Sequence, residues 1–301
     1  MDYDKTTSFD LGSTLGEDQA RGSSKRQACL IVISGVEPGR VYWLAGNEYI
    51  IGRGDNATIR LEDEGISRQH AILRRRADKE FVLTDLDSSN GTFCNNKPVT
   101  NQALQEGDRL HLGTHTVLKF GQRDELEQDF LAQQYDAVTR DALTQCFNKK
   151  YFLDRFNSEH SFAERHGQCL ALVLLDVDHF KAVNDTYGHQ TGDHVLKGLA
   201  DVMQNRLRAE DVLARYGGEE FALLMRDTNA DAAAAVVERI RHAVEAAVWR
   251  SHGRSISVTI SSGVTFFGPD SNKTPEMMLR EADEALYRAK RGGRNRTERA
   301  A

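Results

Sequence analysis

The run LALVLLDVDHFK (170–181) carries two carboxylates, Asp176 and Asp178, at the end of a stretch patterned as a buried strand. A carboxylate is expensive to remove from water, so such a strand ends either in solvent or at a cation. A second acidic pair, Glu219 and Glu220, follows Gly217-Gly218 inside ARYGGEEFALL (214–224), where strand-forming residues flank the glycines. Adjacent glycines allow a tight hairpin turn whose backbone a substrate can approach closely. An ordinary hairpin has no need of two acids beside its turn. A D-x-D strand end next to an acidic hairpin gathers negative charge that divalent ions offset, and hard oxygen donors suit Mg²⁺ or Mn²⁺. Positive charge collects later in the chain: residues 288–299 hold six Lys or Arg and one Glu. Alone, that stretch reads as a solvated helix end or a loose nucleic-acid tail. Lys290 and Arg294, four apart, are expected on one helical face.

The first half carries three shorter signals in order: Gly52-Arg53, Ser67-Arg68-Gln69-His70 and Asn90-Gly91-Thr92. Singly they say little. Gly-Arg is common, His70 fits a satisfied core histidine, and Asn-Gly is a generic hairpin turn.

Positioning these residues takes about two domains, since 301 residues exceed the roughly 100–200 of one domain. A net charge of −6 with 40% apolar and 28% charged residues is ordinary for a soluble globular chain. The acidic balance argues against a nucleic-acid polymer as partner. No run approaches the ~18 apolar residues of a membrane span, and residues 1–24 lack the basic and apolar regions of a signal peptide. Cys29, Cys94, Cys146 and Cys169 form no C-x-x-C pair, so they read as reduced packing residues in a cytoplasmic protein.

Residues 1–27 are poor in large apolar side chains and are expected to be a mobile tail. From 28 to 120, short runs such as CLIVI (29–33), VYWLA (41–45), YIIG (49–52), AILRR (71–75), EFVLTDL (80–86) and HTVLKF (115–120) alternate with turn signals. Many short strands without helical periodicity predict an all-β sandwich. Residues 121–140 favour a helical linker, with Leu126, Phe130, Gln133 and Ala137 spaced for a short coiled seam or simply for a solvated helix. From 141 to 301 the chain alternates: helix 143–160, strand 169–178, helix 194–207, hairpin 211–225, helix 231–248, strand 256–267 and helix 275–290. That pattern predicts one α/β or α+β domain.

RYGGEEF, with DVDHFKAVNDTYGHQTGD before it, LYRAKRGGRN after it and DALTQCFNKKYF at the start, resembles the GGDEF-type diguanylate cyclases over 141–296. The ordered set is far more specific than GGEEF alone. The resemblance implies a palm-like antiparallel sheet with helices that joins two GTP molecules into cyclic di-GMP and two pyrophosphates. It implies two Mg²⁺ or Mn²⁺ ions per active site, held by Asp176, the Val177 carbonyl and Glu219. Glu219 would help deprotonate the attacking 3′-hydroxyl, with Glu220 as an auxiliary carboxylate. Lys181 joins them as a catalytic phosphate contact, beside Lys290 and Arg294. Asn184, His189 and Asp193 would contact guanine and ribose. Each domain is expected to hold one GTP, which calls for a homodimer. Arg208 and Asp211, with five residues between Asp211 and Gly217, match the family's R-x-x-D product site, and Arg239 matches a second arginine that completes it; in another chain Arg208 and Asp211 would be an exposed ion pair. Cys146, Lys149 and Glu219 depart from the common pattern without removing a ligand.

The three signals of the first half, in this order and in an all-β segment, resemble the forkhead-associated (FHA) domain over 28–120. That family binds phosphothreonine peptides. The resemblance implies that Arg53, Ser67 and Arg68 contact phosphate, that Ser89 and Asn90 hold the phosphate side and peptide backbone, and that His70 supports the loops. A dianionic phosphate calls for such charge-assisted donors. Thr14, or Thr7, in the tail would then be a candidate phosphosite for an unidentified Ser/Thr kinase, read by the same chain or its dimer mate. The alternative is a leader whose Ser and Thr serve solubility. The whole reads as a phosphorylation-gated diguanylate cyclase; the alternative is a catalytically idle cyclic di-GMP receptor and phosphopeptide adaptor.

Overall fold

Short apolar runs bounded by Gly, Asn and Asp build the first half, and the last of them shows the pattern plainly: Thr116, Leu118 and Phe120 are buried, while Val117 and Lys119 between them are half-exposed. The structure is a computed structural model that describes residues 26–251 and 253–300. The expected tail with Thr7 and Thr14 lies outside the described residues. The strands are β1 (Gln27–Ser34), β2 (Val41–Trp43), β3 (Glu48–Gly52), β4 (Ile59–Arg60), β5 (Ala71–Arg75), β6 (Phe81–Asp85), β7 (Thr92–Cys94), β8 (Lys97–Pro98), β9 (Asn101–Ala103), β10 (Arg109–Leu112) and β11 (Thr116–Arg123). They form two sheets, β2-β1-β11-β10-β7-β8 and β4-β3-β5-β6-β9. Leu30, Ile51, Leu73, Leu83, Leu110 and Leu118 fill the core between them. The sandwich is therefore as expected, with more strands than the apolar runs suggested. The unforeseen β4, β7, β8, β9 and β10 have two to four residues each, too few to show a period of two.

Helix α1 (Glu125–Thr139) starts at Asp124, whose side chain accepts from the Glu127 amide while Glu127 caps it in return. Of the expected seam, Leu126 is 81% and Phe130 58% exposed.

The second half comprises β12 (Phe147–Asn148), α2 (Lys149–His166), β13 (Leu170–Val177), α3 (Phe180–Tyr187), α4 (His189–Gln204), β14 (Val212–Gly217), β15 (Glu220–Arg226), α5 (Ala230–Ala246), β16 (Trp249–Ser251), β17 (Arg254–Ile256), β18 (Ile260–Phe267), α6 (Pro275–Arg291) and β19 (Thr297–Arg299). One sheet runs β12-β14-β15-β13-β18-β19, and β16 and β17 pair separately. β13 is central and buried along its whole length. One face of the sheet packs Val195, Leu199, Val237 and Ile240 from α4 and α5, and the other packs Phe152, Phe156, Ala282 and Leu286 from α2 and α6.

Three sequence expectations need correction, and one helix, α3, was not foreseen. The helix expected from 143 starts at Lys149, because Asn148 caps it by accepting from the Tyr151 amide. The strand expected over 256–267 breaks at 257–259, where Thr259 turns its hydroxyl and carbonyl to Asp178. The segment 180–187 forms α3, a short and polar helix with only Phe180 and Val183 buried. Finally, α6 ends at Arg291 before Gly292, so Arg294 does not share a helical face with Lys290. It sits in a left-handed turn with Asn295.

The two halves meet across a cluster of charges. Glu62 of the sandwich accepts from Arg155 on α2 (2.9 Å) and from Arg226 at the end of β15 (2.8 Å). Both arginines also pair with Glu159, at 2.9 and 2.7 Å, and the Tyr151 hydroxyl donates to Glu37. The sandwich thus grips the end of β15 opposite its Glu219-Glu220 turn.

Candidate active site

β13 delivers Asp176 and Val177 to the rim of the sheet, and the β14–β15 turn delivers Glu219. Asp176 is flanked in register by Glu220 on one side and Ser261 on the other. The turn closes tightly, with Gly217 opposite Glu220, and a register shift between Arg215 and Gly217 re-aims its tip. Gly218 takes a φ of +48°, a conformation open to glycine at little cost. Arg215 then fixes the tip: its Nε donates to the Gly218 carbonyl (2.8 Å) and its Nη1 to Asp141 (3.2 Å). These two residues were absent from the sequence reading; the only signal is that Arg215 precedes the turn and Asp141 opens the domain.

The two acids of D-x-D separate in role. The Asp178 carboxylate accepts from the Thr259 and Ser261 hydroxyls, each at 2.7 Å, and from the Asn295 amide at 3.0 Å. It is spent on holding the Arg294–Asn295 turn against the strand. Asp176 remains open to the site and meets Lys290 Nζ at 2.8 Å. Burial raises the Asp176 carboxyl above its ordinary range, against the pull of Lys290 and Arg294. Burial and then the Asp176 charge also raise Glu219. Two carboxylates whose proton affinity burial raises, together with a backbone carbonyl at Val177, are a hard-oxygen donor set for a divalent cation. No cluster of three or more His, Cys, Asp or Glu side chains with metal-site geometry occurs among the described residues.

Glu220 and Lys290 also border a cleft of about 460 Å³ with Asp283 and Tyr287 of α6. Lys181 is exposed on the first turn of α3. Asn184 packs its Oδ1 against Gly192, where a Cβ would come within 2.0 Å, so α3 and α4 approach closely there. His189 opens α4 and Asp193 follows four residues later on the same face, both exposed.

Beyond α4, Asp211 accepts from the Arg208 amide at 2.9 Å, and burial raises its carboxyl while the charges of Arg208 and Arg239 oppose that rise. The Arg208 guanidinium lies nearest Glu210, at 4.0 Å, rather than in an ion pair with Asp211. Arg239 donates to the Arg206 carbonyl at 2.8 Å.

In the sandwich, Gly52 is required by contact: a Cβ there would fall 2.2 Å from the Arg68 carbonyl. The Arg53 and Gly54 amides donate to the Ser67 and Arg68 carbonyls, each at 3.1 Å, which staples the two loops together. His70 is fully buried; it accepts from the Ser67 amide at 3.1 Å and its other nitrogen meets the Gly91 carbonyl at 3.2 Å. Burial lowers its pKa, so it is a neutral support for the loops. Ser67 Oγ accepts from the Ser89 amide at 3.0 Å, and Asn90 donates to the Gly65 carbonyl at 2.8 Å. Arg68, Ser89 and Asn90 are exposed.

A mixed sheet that sets a Gly-Gly-Glu-Glu hairpin beside a buried Asp176 paired with a half-buried Lys290, preceded by a β-sandwich with an Arg–Ser–Asn loop cluster, defines a two-domain class. A family model described as "Diguanylate cyclase, GGDEF domain" matches residues 138–296, more than half of the chain, and the chain belongs to that family. The FHA domain model matches residues 49–113. Diguanylate cyclase DgcP of Pseudomonas aeruginosa is 40% identical over 251 residues, which cover 82% of this chain and 37% of DgcP. Diguanylate cyclase A of Treponema denticola is 40% identical over 169 residues, 55% of this chain and 45% of its own. The chain thus spans less than half the length of these relatives. Among solved structures, the coiled coil and GGDEF domain of DgcB from Caulobacter crescentus, in complex with c-di-GMP, gives a TM-score of 0.55 at 36% identity, over 58% of this chain and 93% of that one. Diguanylate cyclase SiaD from P. aeruginosa, in complex with its activator SiaC, gives 0.54 at 40% identity, over 58% of this chain and 67% of that one. Among the described residues no helix is long and apolar enough to cross a membrane.

Proposed function

We propose that the chain condenses two GTP into cyclic di-GMP and two pyrophosphates, one GTP on each of two cyclase domains brought face to face. The observation that carries this is the Asp176–Lys290 pair beside Glu219, an acidic and basic cluster built at a hairpin whose backbone is open to a substrate. Asp176, the Val177 carbonyl and Glu219 are the residues to hold Mg²⁺ or Mn²⁺, two ions per site. When bound, such ions neutralise phosphate charge and lower the pKa of an attacking hydroxyl. Glu219 is placed to take the proton of the 3′-hydroxyl, with Glu220 adding a second carboxylate at the turn. Lys181, Lys290 and Arg294 orient the triphosphate, and the left-handed turn at Arg294–Asn295, pinned to Asp178 through the Asn295 amide, sets where the Arg294 backbone stands. Asn184 with Asp193 and His189 read guanine and ribose. Arg208, Asp211 and Arg239 form the product-inhibition site, and Arg53, Ser67, Arg68, Ser89 and Asn90 bind a phosphothreonine peptide, the chain's own Thr14 or Thr7 being candidates for a Ser/Thr kinase. A cytoplasmic setting is part of this reading.

Incubation with GTP and Mg²⁺ followed by chromatography tests it. Wild type should yield cyclic di-GMP, and Glu219→Ala should lose about 10²-fold or more in turnover, the scale expected when transition-state charge loses its preorganised partner. Binding of cyclic di-GMP without any turnover of GTP would favour the idle receptor.

A further inference from the structure

Between the sandwich and α2 lies a cleft of about 660 Å³. Three cationic or cation-capable side chains converge in it from both domains. Arg53 Nη1 lies 3.1 Å from His166 Nε2. His166 Nδ1 faces the Phe162 carbonyl at 2.8 Å, which fixes Nδ1 as the protonated nitrogen and leaves Nε2 to accept from Arg53. Arg165 borders the same cleft; burial and the facing charge of Arg53 both lower its proton affinity. Arg53 Nε is buried and has no hydrogen-bond partner among the described residues.

The acids of the cleft do not neutralise this group. Asp63 is consumed by the Thr114 and Thr116 hydroxyls and by the Gly65 and His115 amides. Glu62 is consumed by Arg155 and Arg226. Glu64 alone reaches in, to pair with Arg165, and both partners of that pair are substantially exposed. Two guanidiniums near each other across a domain boundary, one with an unused buried donor and the other paired only with an exposed carboxylate, favour an anion between them.

We propose that Arg165 of the cyclase domain completes the phosphate site of the FHA domain, with His166 positioning Arg53 across the domain boundary, so that a phosphothreonine held by Arg53 is gripped by both domains and displaces Glu64. This rests on the phosphothreonine-binding reading of the sandwich. The carboxylate of Glu64 stands in for the phosphate until the peptide arrives. The stapling of Arg53 to the Ser67–Arg68 loop lets one residue serve both the exposed loop cluster and the cleft. A bound phosphopeptide then fixes the sandwich against α2, and α2 packs on the sheet that carries the active hairpin. That is a route by which phosphorylation reaches the cyclase without touching its catalytic residues.

The test uses the full chain immobilised and exposed to a peptide library with a fixed phosphothreonine and degenerate flanks, with the unphosphorylated library as control. Arg53→Ala should abolish specific retention. Arg165→Ala should lower affinity about ten-fold, the worth of one charge-assisted contact, with partial recovery in Arg165→Lys. Glu64→Gln should raise affinity several-fold, an effect opposite to that of any general damage to the domain. If Arg53→Ala loses binding while Arg165→Ala and Glu64→Gln bind like wild type, the FHA reading stands and the shared site is overturned. Full retention by Arg53→Ala would overturn both.

Discussion

Asp176 and Asp178 are two positions apart on one strand end, and the difference between them lies entirely in their partners. Asp178 is a buried acceptor saturated by two hydroxyls and one amide, so its removal leaves several donors unpaired. Asp178→Ala is expected to lower stability by about 3 kcal/mol and to release the Arg294 turn, raising KM for GTP; equilibrium urea unfolding and steady-state kinetics read the two effects. Asp63 does the same work in the sandwich. Burial pushes its carboxyl up, but hydrogen bonds from Thr116, Gly65, His115 and Thr114 outweigh that and hold it below the ordinary range. A carboxyl lowered in the folded state stabilises above the unfolded pKa of about 3.9, and the gain disappears as pH falls through the folded value. Asp63→Asn should therefore cost about 2 kcal/mol at neutral pH, with the gap to wild type closing only below about pH 4. Urea midpoints measured from pH 3 to pH 7 follow it, and a gap that stays constant over that range would show that the charge is not what matters.

The elements differ in how openly the chain announces them. The strand 170–177 and the hairpin around Gly217-Gly218 were legible because each is local: a continuous apolar run, and two short runs joined by two glycines. The helix α3 was not, because eight residues with two apolar anchors carry no clear period. β19 was hidden because its pairing is parallel to β18 and set by the turn after α6 rather than by its own residues. The contact between domains was least visible of all, since Glu62 finds partners 93 and 164 residues away. Site residues followed the same rule. Residue types and spacing drew attention to Asp176 and Glu219, which the fold brings together; the spacing argument for Lys290 assumed a helical face shared with Arg294 that the chain does not form, and Arg215, which ties the hairpin tip to Asp141, needs the fold to bring it there. Gly263 on β18 shows how tightly α6 must pack to deliver Lys290: a Cβ there would meet the Ala282 carbonyl at 2.0 Å and the Leu286 nitrogen at 2.3 Å. Both are backbone atoms of a helix and cannot yield singly. Gly263→Ala should lower the unfolding free energy by about 3 kcal/mol and depress turnover by moving Lys290, whereas an unchanged urea midpoint would mean that α6 has room to shift.

At the scale of the whole molecule, the proposed condensation of two GTP calls for two cyclase domains, and the helix that leads into this one leaves apolar side chains in water. Leu126 and Phe130 are four apart, hence on one face of α1, and neither is covered by the described residues. The helix starts directly after β11 and ends where the cyclase domain begins, so a second copy pairing along it would set two cyclase domains side by side. If one GTP is held per domain, the active species is the dimer, and its share of the protein follows mass action. Far below the dimerisation constant, specific activity should fall about ten-fold for each ten-fold dilution, because almost all protein is then monomeric. Replacing Leu126 and Phe130 together by Glu puts like charges where the two helices would meet, and should move the dilution curve to higher protein concentration. Initial rates across four decades of protein concentration, matched to sedimentation of the same samples, provide the comparison. A specific activity that holds constant while sedimentation shows only monomer would mean that one chain completes the reaction alone.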